Sequence, residues 1–198
     1  MKQLLVKQFS SLSSGMKMLV FGGGYSGQCI ASLARSLGVE TLCSRRSIDK
    51  KGADFVFNSF TKEIPCSKTL EGTTHIISCI PPGENGKDPV LELLEERIKN
   101  MPLKWAGYLS TTGVYGDSQG AWVNEFTTPR PQQLRSKRRL QCEKEWLNTG
   151  IPVQILRLPG IYGPGRSALE IILSGKCRLV DKPGQVFSRI HVEDIAAA

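Results

Sequence analysis

Residues Met18-Leu19-Val20-Phe21 form a short apolar run that breaks directly into Gly22-Gly23-Gly24-Tyr25-Ser26-Gly27. The run reads as a buried parallel strand, and the G-x-G-x-x-G that follows reads as a turn entering a helix. Gly22 permits the tight turn, Gly24 lets the backbone approach a diphosphate, and Gly27 lets the helix pack closely on the strand. The phosphates would sit on the free N–H groups and positive dipole end of that helix. Glycine clusters also mark ordinary loops, so the flanks matter. Residues 28–37 set Ile30, Leu33, Ala34 and Leu37 on one helical face, Gly38 is a helix stop, and Val39 to Cys43 reads as a second strand. Strand, turn, helix and strand fit within residues 18–43, close to the ~30 residues of a dinucleotide-binding unit. A glycine-rich turn without a ligand is the alternative.

The alternation continues. Strands are expected at Ala53 to Phe57, His75 to Ile80, Trp105 to Leu109 and Val153 to Leu158. Asp88 can cap a helix to Lys99, with Pro89 in its first turn and Val90, Leu93, Leu94 and Ile98 inside. A helix from Gln132 to Leu147 would use Leu134, Leu140, Trp146 and Leu147 as apolar contacts. This order implies an α/β fold: a doubly wound, Rossmann-type parallel sheet with helices on both faces and ligands at the carboxyl ends of the strands. With 198 residues, 40% of them hydrophobic, the chain supports one nucleotide-binding domain over residues 18–198.

No apolar run is long enough to cross a membrane. Cysteines 29, 43, 66, 79, 142 and 177 make no C-x-x-C pair, which fits a reduced intracellular protein with buried thiols and no metal site. Much of the net charge of +8 comes from residues 130–144. That run could touch nucleic acid, but it lacks interleaved aromatics, and a solvated helix face near an anionic cofactor is favoured. Residues 1–17 hold Ser10, Ser11, Ser13, Ser14, three lysines and no acid. They fit the tail of an organelle-targeting segment or a disordered extension before a domain starting near Met16. Cytoplasm and an organelle stroma (chloroplast or mitochondrion) both stay open, as does a homodimer.

The acid that would hold a ribose 2′-hydroxyl is expected about 20 residues after the motif. Here the second strand ends Cys43-Ser44-Arg45-Arg46, with no carboxylate. Arginine can pair with a 2′-phosphate in bidentate fashion, and the Ser44 hydroxyl can add a bond. NADP(H) is therefore favoured over NAD(H). The alternative is that Arg45 and Arg46 are surface charges on a loop.

Further motifs carry a specific resemblance. Ser110-Thr111-Thr112-Gly113-Val114-Tyr115-Gly116-Asp117 resembles the S-S-x-x-V-Y-G-D segment of the extended short-chain dehydrogenase/reductases, the superfamily of nucleotide-sugar epimerases and dehydratases. Arg157 to Arg166 is similar to its R-x-x-x-x-Y-G-P-G stretch, and Ser188-Arg189-Ile190-His191-Val192-Glu193-Asp194-Ile195 to its F-I-H-V-D-D signature. The atypical, epimerase-like subgroup is the nearest in pattern. The resemblance implies that Gly22, Gly24, Tyr25, Ser26 and Gly27 line the diphosphate. It implies that Ser78, Cys79, Ile80 and Pro81 pass beside the riboses, that Ser110 and Thr111 face the coenzyme, and that Pro159 and Gly160 lie near the nicotinamide.

In that family a Ser or Thr works with tyrosine and lysine in Y-x-x-x-K, the phenol acting as general acid/base. Thr111 takes the hydroxyl position. Counting back from Glu143, the tyrosine and lysine positions hold Arg135 and Arg139, and no tyrosine occurs between Tyr115 and Tyr162. Arginine keeps its proton and cannot replace a phenol, though Arg139 could hold a ribose or phosphate. Thr111 and Tyr115 are the remaining catalytic candidates, with Tyr162 a further phenol. His75 reads as a packed strand residue and His191 as part of a structural motif.

The chain stops at Ala198, soon after the signature, whereas family members continue. A largely missing substrate portion is therefore expected, with exposed apolar surface near Leu173, Val180 and Ile190. A truncated chain, an alternative transcript or a pared-down binding protein each fits. Two functions follow: an NADP(H)-dependent reductase or epimerase on an unknown small polar or nucleotide-linked substrate, or a non-catalytic nicotinamide-coenzyme sensor.

Overall fold

The computed structural model describes residues 15–177 and 184–198. Eight strands and six α-helices follow in chain order among these residues. The first half holds β1 (Lys17–Phe21), α1 (Tyr25–Ser36), β2 (Glu40–Arg45), β3 (Phe55–Val56), α2 (Ser67–Leu70) and β4 (His75–Ser78). Then come α3 (Pro89–Lys99), β5 (Trp105–Thr111), a 3-10 turn (Thr112–Tyr115), α4 (Leu134–Leu147) and β6 (Val153–Leu158). Last are β7 (Gly160–Tyr162), α5 (Ala168–Leu173), β8 (Arg189–His191) and α6 (Val192–Ala197).

Six strands form one sheet in the order β3-β2-β1-β4-β5-β6, and every pair is parallel. Leu19 faces Leu42 on one side and Ile76 on the other. The chain order reverses between β1 and β4, the switch point where such sheets receive ligands. Strands β7 and β8 form a separate parallel pair.

Successive strand residues point to opposite faces, so a strand covered on both sides must be apolar throughout. Leu19, Phe21, Ile76 and Tyr108 join α3 and α4 through Leu91, Leu94, Cys142 and Trp146. Val20, Ile77 and Leu109 point the other way, to Ile30 and Ala31 of α1 and Ile195 of α6. Helices thus cover both faces. Trp146 stacks on Tyr108 at 5.9 Å between ring centroids, an arrangement worth about 0.5–1.5 kcal/mol beyond its buried area. Helix α3 starts on Asp88, whose Oδ1 accepts from Val90 N at 2.9 Å and Leu91 N at 3.0 Å, with Pro89 next. The H-V-E-D-I stretch gains a physical meaning: His191 caps α6, and Val192 and Ile195 are buried.

Several details differ from the sequence-based expectations. Helix α1 begins at Tyr25, so Gly27 lies inside its first turn rather than before it. Strand β2 runs on through Ser44 and Arg45 because it pairs with β3 there. Strand β4 stops at Ser78, leaving Cys79 and Ile80 as connection. In α4, Leu134 and Leu147 are exposed; the buried positions are Ser136, Cys142, Glu143 and Trp146. That inner face is partly polar because Glu143 meets a cation from β6. Leu173 is exposed and Ile190 only partly so, whereas Val180 and residues 1–14 lie outside the described residues. Cys43, Cys66, Cys79, Cys142 and Cys177 are free thiols. Among the described residues no helix is long and apolar enough to cross a membrane.

Candidate functional site

The glycine turn is built by close approach. Gly22 has φ +93°, and a Cβ there would stand 2.8 Å from Ile80 Cγ1, so only glycine suits the position. A Cβ on Gly27 would lie 2.2 Å from Gly22 O. Gly24 differs: an added Cβ meets nothing within 4 Å. It opens onto free space at the start of α1, where no side chain caps the helix. The first-turn N–H groups of Tyr25, Ser26 and Gly27 therefore need an outside acceptor.

Ser44 was expected to reach a 2′-phosphate. Its side chain is instead buried, and its Oγ accepts from Gly22 N at 2.9 Å while its carbonyl accepts from Gly23 N at 2.7 Å. It clamps the turn from within. Arg45 and Arg46 remain at the surface end of β2. Arg45 Nε donates to Lys51 O at 3.3 Å, and Arg46 lies over the Phe60 ring at 5.1 Å. Tyr25 Oη donates to Pro164 O at 3.0 Å and sits under Arg166. The start of α1 is thereby tied to the 163–166 turn.

Beside this turn lies a cleft of about 1380 Å³. Pro81, Ser110, Thr111, Tyr115, Arg139, Pro159 and Gly160 line it, so seven sequence-predicted site residues converge there. Of the described residues, the glycine turn, Arg45 and Arg46 are not part of its wall. Ile80 joins the two regions: its side chain packs on Gly22, and its carbonyl accepts from Arg139 Nη1 at 3.3 Å. The same Arg139 nitrogen donates to Leu109 O at 2.9 Å and Tyr108 Oη at 3.2 Å. Arg139 thus ties the ends of β4 and β5. Ser78, in contrast, is fully buried, and its Oγ has no hydrogen-bond partner among the described residues.

Below the cleft is a polar network that sequence reasoning named only as motif letters. Arg157 Nη2 meets Glu143 Oε2 at 2.8 Å, and Glu143 is 2% exposed. Ser110 Oγ also donates to Glu143. Arg157 Nη1 donates to Tyr115 Oη at 3.0 Å, and its guanidinium lies over that ring. The Glu143 hydrogen bonds push the Arg157 pKa up, so its charge is fixed. The Tyr115 phenol therefore sits against a permanent cation. Thr111 Oγ1 accepts from Gly113 N at 3.1 Å and caps the 3-10 turn. The sequence signal for the network was an acid and a base recurring in two motifs. Their pairing crosses from helix to strand and is not visible in either motif.

The buried thiols are quiet. Burial pushes the Cys43 thiol up to about 11 and the Cys142 thiol up to about 12. Burial also raises Cys79 and Tyr108. Such thiols stay protonated and unreactive. Burial, then Lys104, lowers the His75 pKa, and its Nδ1 lies 2.8 Å from Thr74 Oγ1. His75 is a packed, neutral residue.

No protein-family model matches the chain. Protein YeeZ of Escherichia coli K12 is 40% identical over 93 residues, an alignment covering 46% of this chain and 32% of YeeZ. A conserved protein of unknown function from Silicibacter pomeroyi superposes over 92% of this chain with TM-score 0.82 and 38% identity. A protein assigned as an NAD-dependent epimerase/dehydratase from Methylobacillus flagellatus superposes over 92% with TM-score 0.72 and 26% identity. In fold the chain is similar to epimerase-like proteins of the extended short-chain dehydrogenase/reductase type. It spans about a third of YeeZ and 66% to 67% of the two solved chains. The glycine turn after β1 and the Thr111–Tyr115 turn after β5 both lie at the carboxyl edge of the sheet.

Proposed function

We propose that the chain binds a nicotinamide dinucleotide through the amino end of α1, with NADP(H) preferred over NAD(H). One observation carries this reading: Gly24 opens onto free space above an uncapped helix start, while Gly22 and Gly27 have no room for a side chain. A diphosphate there would accept from the Tyr25, Ser26 and Gly27 N–H groups. Cys79, Ile80 and Pro81 would pass beside the riboses, and Pro159 and Gly160 would border the nicotinamide. Arg45 and Arg46 would hold a 2′-phosphate; their surface positions and the lack of a carboxylate at this strand end support that choice. Ser44 would act indirectly, by holding Gly22.

A bound nicotinamide would supply hydride chemistry. The chain's own contribution would be to orient the coenzyme and to offer Thr111 and Tyr115 as polar groups. Tyr115 could hold or release a proton at its Oη, facing Arg157. Arg135 and Arg139 stand where the superfamily has tyrosine and lysine, counting back from Glu143. That observation favours a second reading, a coenzyme-binding sensor without turnover. A substrate, if there is one, would be small and polar or nucleotide-linked.

Titrating NADPH and NADH into the wild type, Arg45→Ala and Arg46→Ala tests the coenzyme reading. Tighter NADPH binding, lost in the variants, is expected; equal weak binding of both coenzymes would contradict it. Following NADPH absorbance with aldehydes, ketones and nucleotide sugars separates enzyme from sensor.

A further inference from the structure

The amino-terminal half of α4 carries the wrong charge for its place. A helix start favours anions, because its unpaired N–H groups are partly positive. Helix α4 has no acid in its first turn, and Arg135, Lys137, Arg138 and Arg139 follow within residues 135–139. Arg135 shares a helix face with Arg138 and Arg139, and like charges at such spacings are destabilising. All three line the cleft, as do Arg166 and Arg189, and among the described residues Asp117 is the one carboxylate on its wall. Among the described residues none of these five guanidinium groups forms an ion pair.

Three of the five are committed elsewhere. Arg139 ties strand ends, Arg166 lies over Tyr25, and Arg189 lies over Phe187. Arg135 spends only Nε, on Gln133 Oε1 at 2.7 Å. Arg138 lays its stem beside Gly86, where an added Cβ would meet its Cγ at 3.4 Å, and its guanidinium donates to none of the described residues. The cleft of about 1380 Å³ also exceeds the ~300–1,000 Å³ usual for one small ligand. It has room for a second molecule beside the end of a coenzyme.

We propose that Arg135 and Arg138 receive a small polyanion carrying phosphate or carboxylate groups. Guanidinium forks pair with such oxyanions in bidentate geometry, and the helix dipole adds to the attraction. The ligand offsets the like-charge repulsion that the free chain carries. This deepens the coenzyme reading and rests on it for which end of the cleft is the reacting end.

The test is calorimetric titration of pyrophosphate and of citrate into the full chain. Wild type, Gly24→Val and the Arg135→Ala/Arg138→Ala double variant are compared, with NADPH titrated into each. At least one polyanion is expected to bind wild type and Gly24→Val alike, more weakly as salt rises. Loss of two charged contacts should weaken it by roughly tenfold or more in the double variant. Binding of one probe alone identifies phosphate or carboxylate as the group recognised. NADPH should show the reverse pattern, lost in Gly24→Val and kept in the double variant, so the two readings fail separately. The unliganded double variant should melt no lower than wild type. Should it fail to fold, Arg135→Gln/Arg138→Gln replaces it. The proposal is overturned if neither probe binds wild type, or if the double variant binds both unchanged. Loss of polyanion binding in Gly24→Val, or a single-stranded oligonucleotide binding far more tightly than either probe, would overturn it as well.

Discussion

Helices α1 and α4 both start at the carboxyl edge of the sheet, yet they meet that edge in opposite ways. Helix α1 starts on bare backbone, with Gly24 at its cap and no acid or cap side chain. Helix α4 starts under arginines 135, 138 and 139. The first end can receive an anion through N–H groups, and its demands fall on shape: no side chain at Gly22 or Gly27. The second can receive one through side chains, and its demands fall on charge. Helix α3 offers a third solution at the same edge, with the buried carboxylate of Asp88 on its own first-turn N–H groups. Backbone recognition is fixed by spacing and leaves a motif. Side-chain recognition depends on what surrounds the helix and leaves only a charge run.

The comparison can be broken at the anchor of α4. Arg157→Ala strands the buried Glu143 carboxylate, and urea denaturation should show a loss of about 3–5 kcal/mol. Asp88 comes next. Burial lifts its carboxyl up to about 6, against an unfolded value near ~3.9. A folded-state pKa above the unfolded one contributes stability that is complete below about pH 4 and lost as pH rises through about 6. Asp88→Asn should therefore gain about 2–3 kcal/mol relative to wild type between pH 4 and 7, read from denaturation at both. A flat difference would count against the buried charge.

At the start of α1 two glycines should part company. Gly27→Ala drives a Cβ against Gly22 O, and overpacking onto backbone should cost about 1–3 kcal/mol. Gly24→Ala has open space, so stability should stay within about 0.5 kcal/mol while NADPH binding weakens. The smallest expected effect sharpens the comparison at β2. Losing one charge-assisted contact in Arg46→Ala should raise the NADPH Kd by roughly tenfold and leave the NADH Kd within about twofold.

The fold was legible because two periodicities agreed. Leu19-Val20-Phe21 and Ile76-Ile77 had to be buried on both faces, and the helices between had one apolar stripe each. Asp88-Pro89 announced its helix by local chemistry alone. Leu134 and Leu147 misled for the opposite reason. Periodicity assumes an apolar inner face, and α4 instead buries Glu143 against Arg157 from β6. Ser44 misled because its position in sequence was right while its direction was not. Whether a strand-end hydroxyl faces ligand or turn depends on the pleat and on Gly22. The short pieces β7, β8 and α6 were invisible because their identity comes from packing, as with Ile195 on α1.

The most direct measurement is the backbone amide spectrum of the full chain during an NADPH titration. A diphosphate held by α1 predicts that the Tyr25, Ser26 and Gly27 amides shift first and furthest, as acceptors reach N–H groups that water had satisfied. Saturable NADPH binding with these three amides unmoved would contradict it.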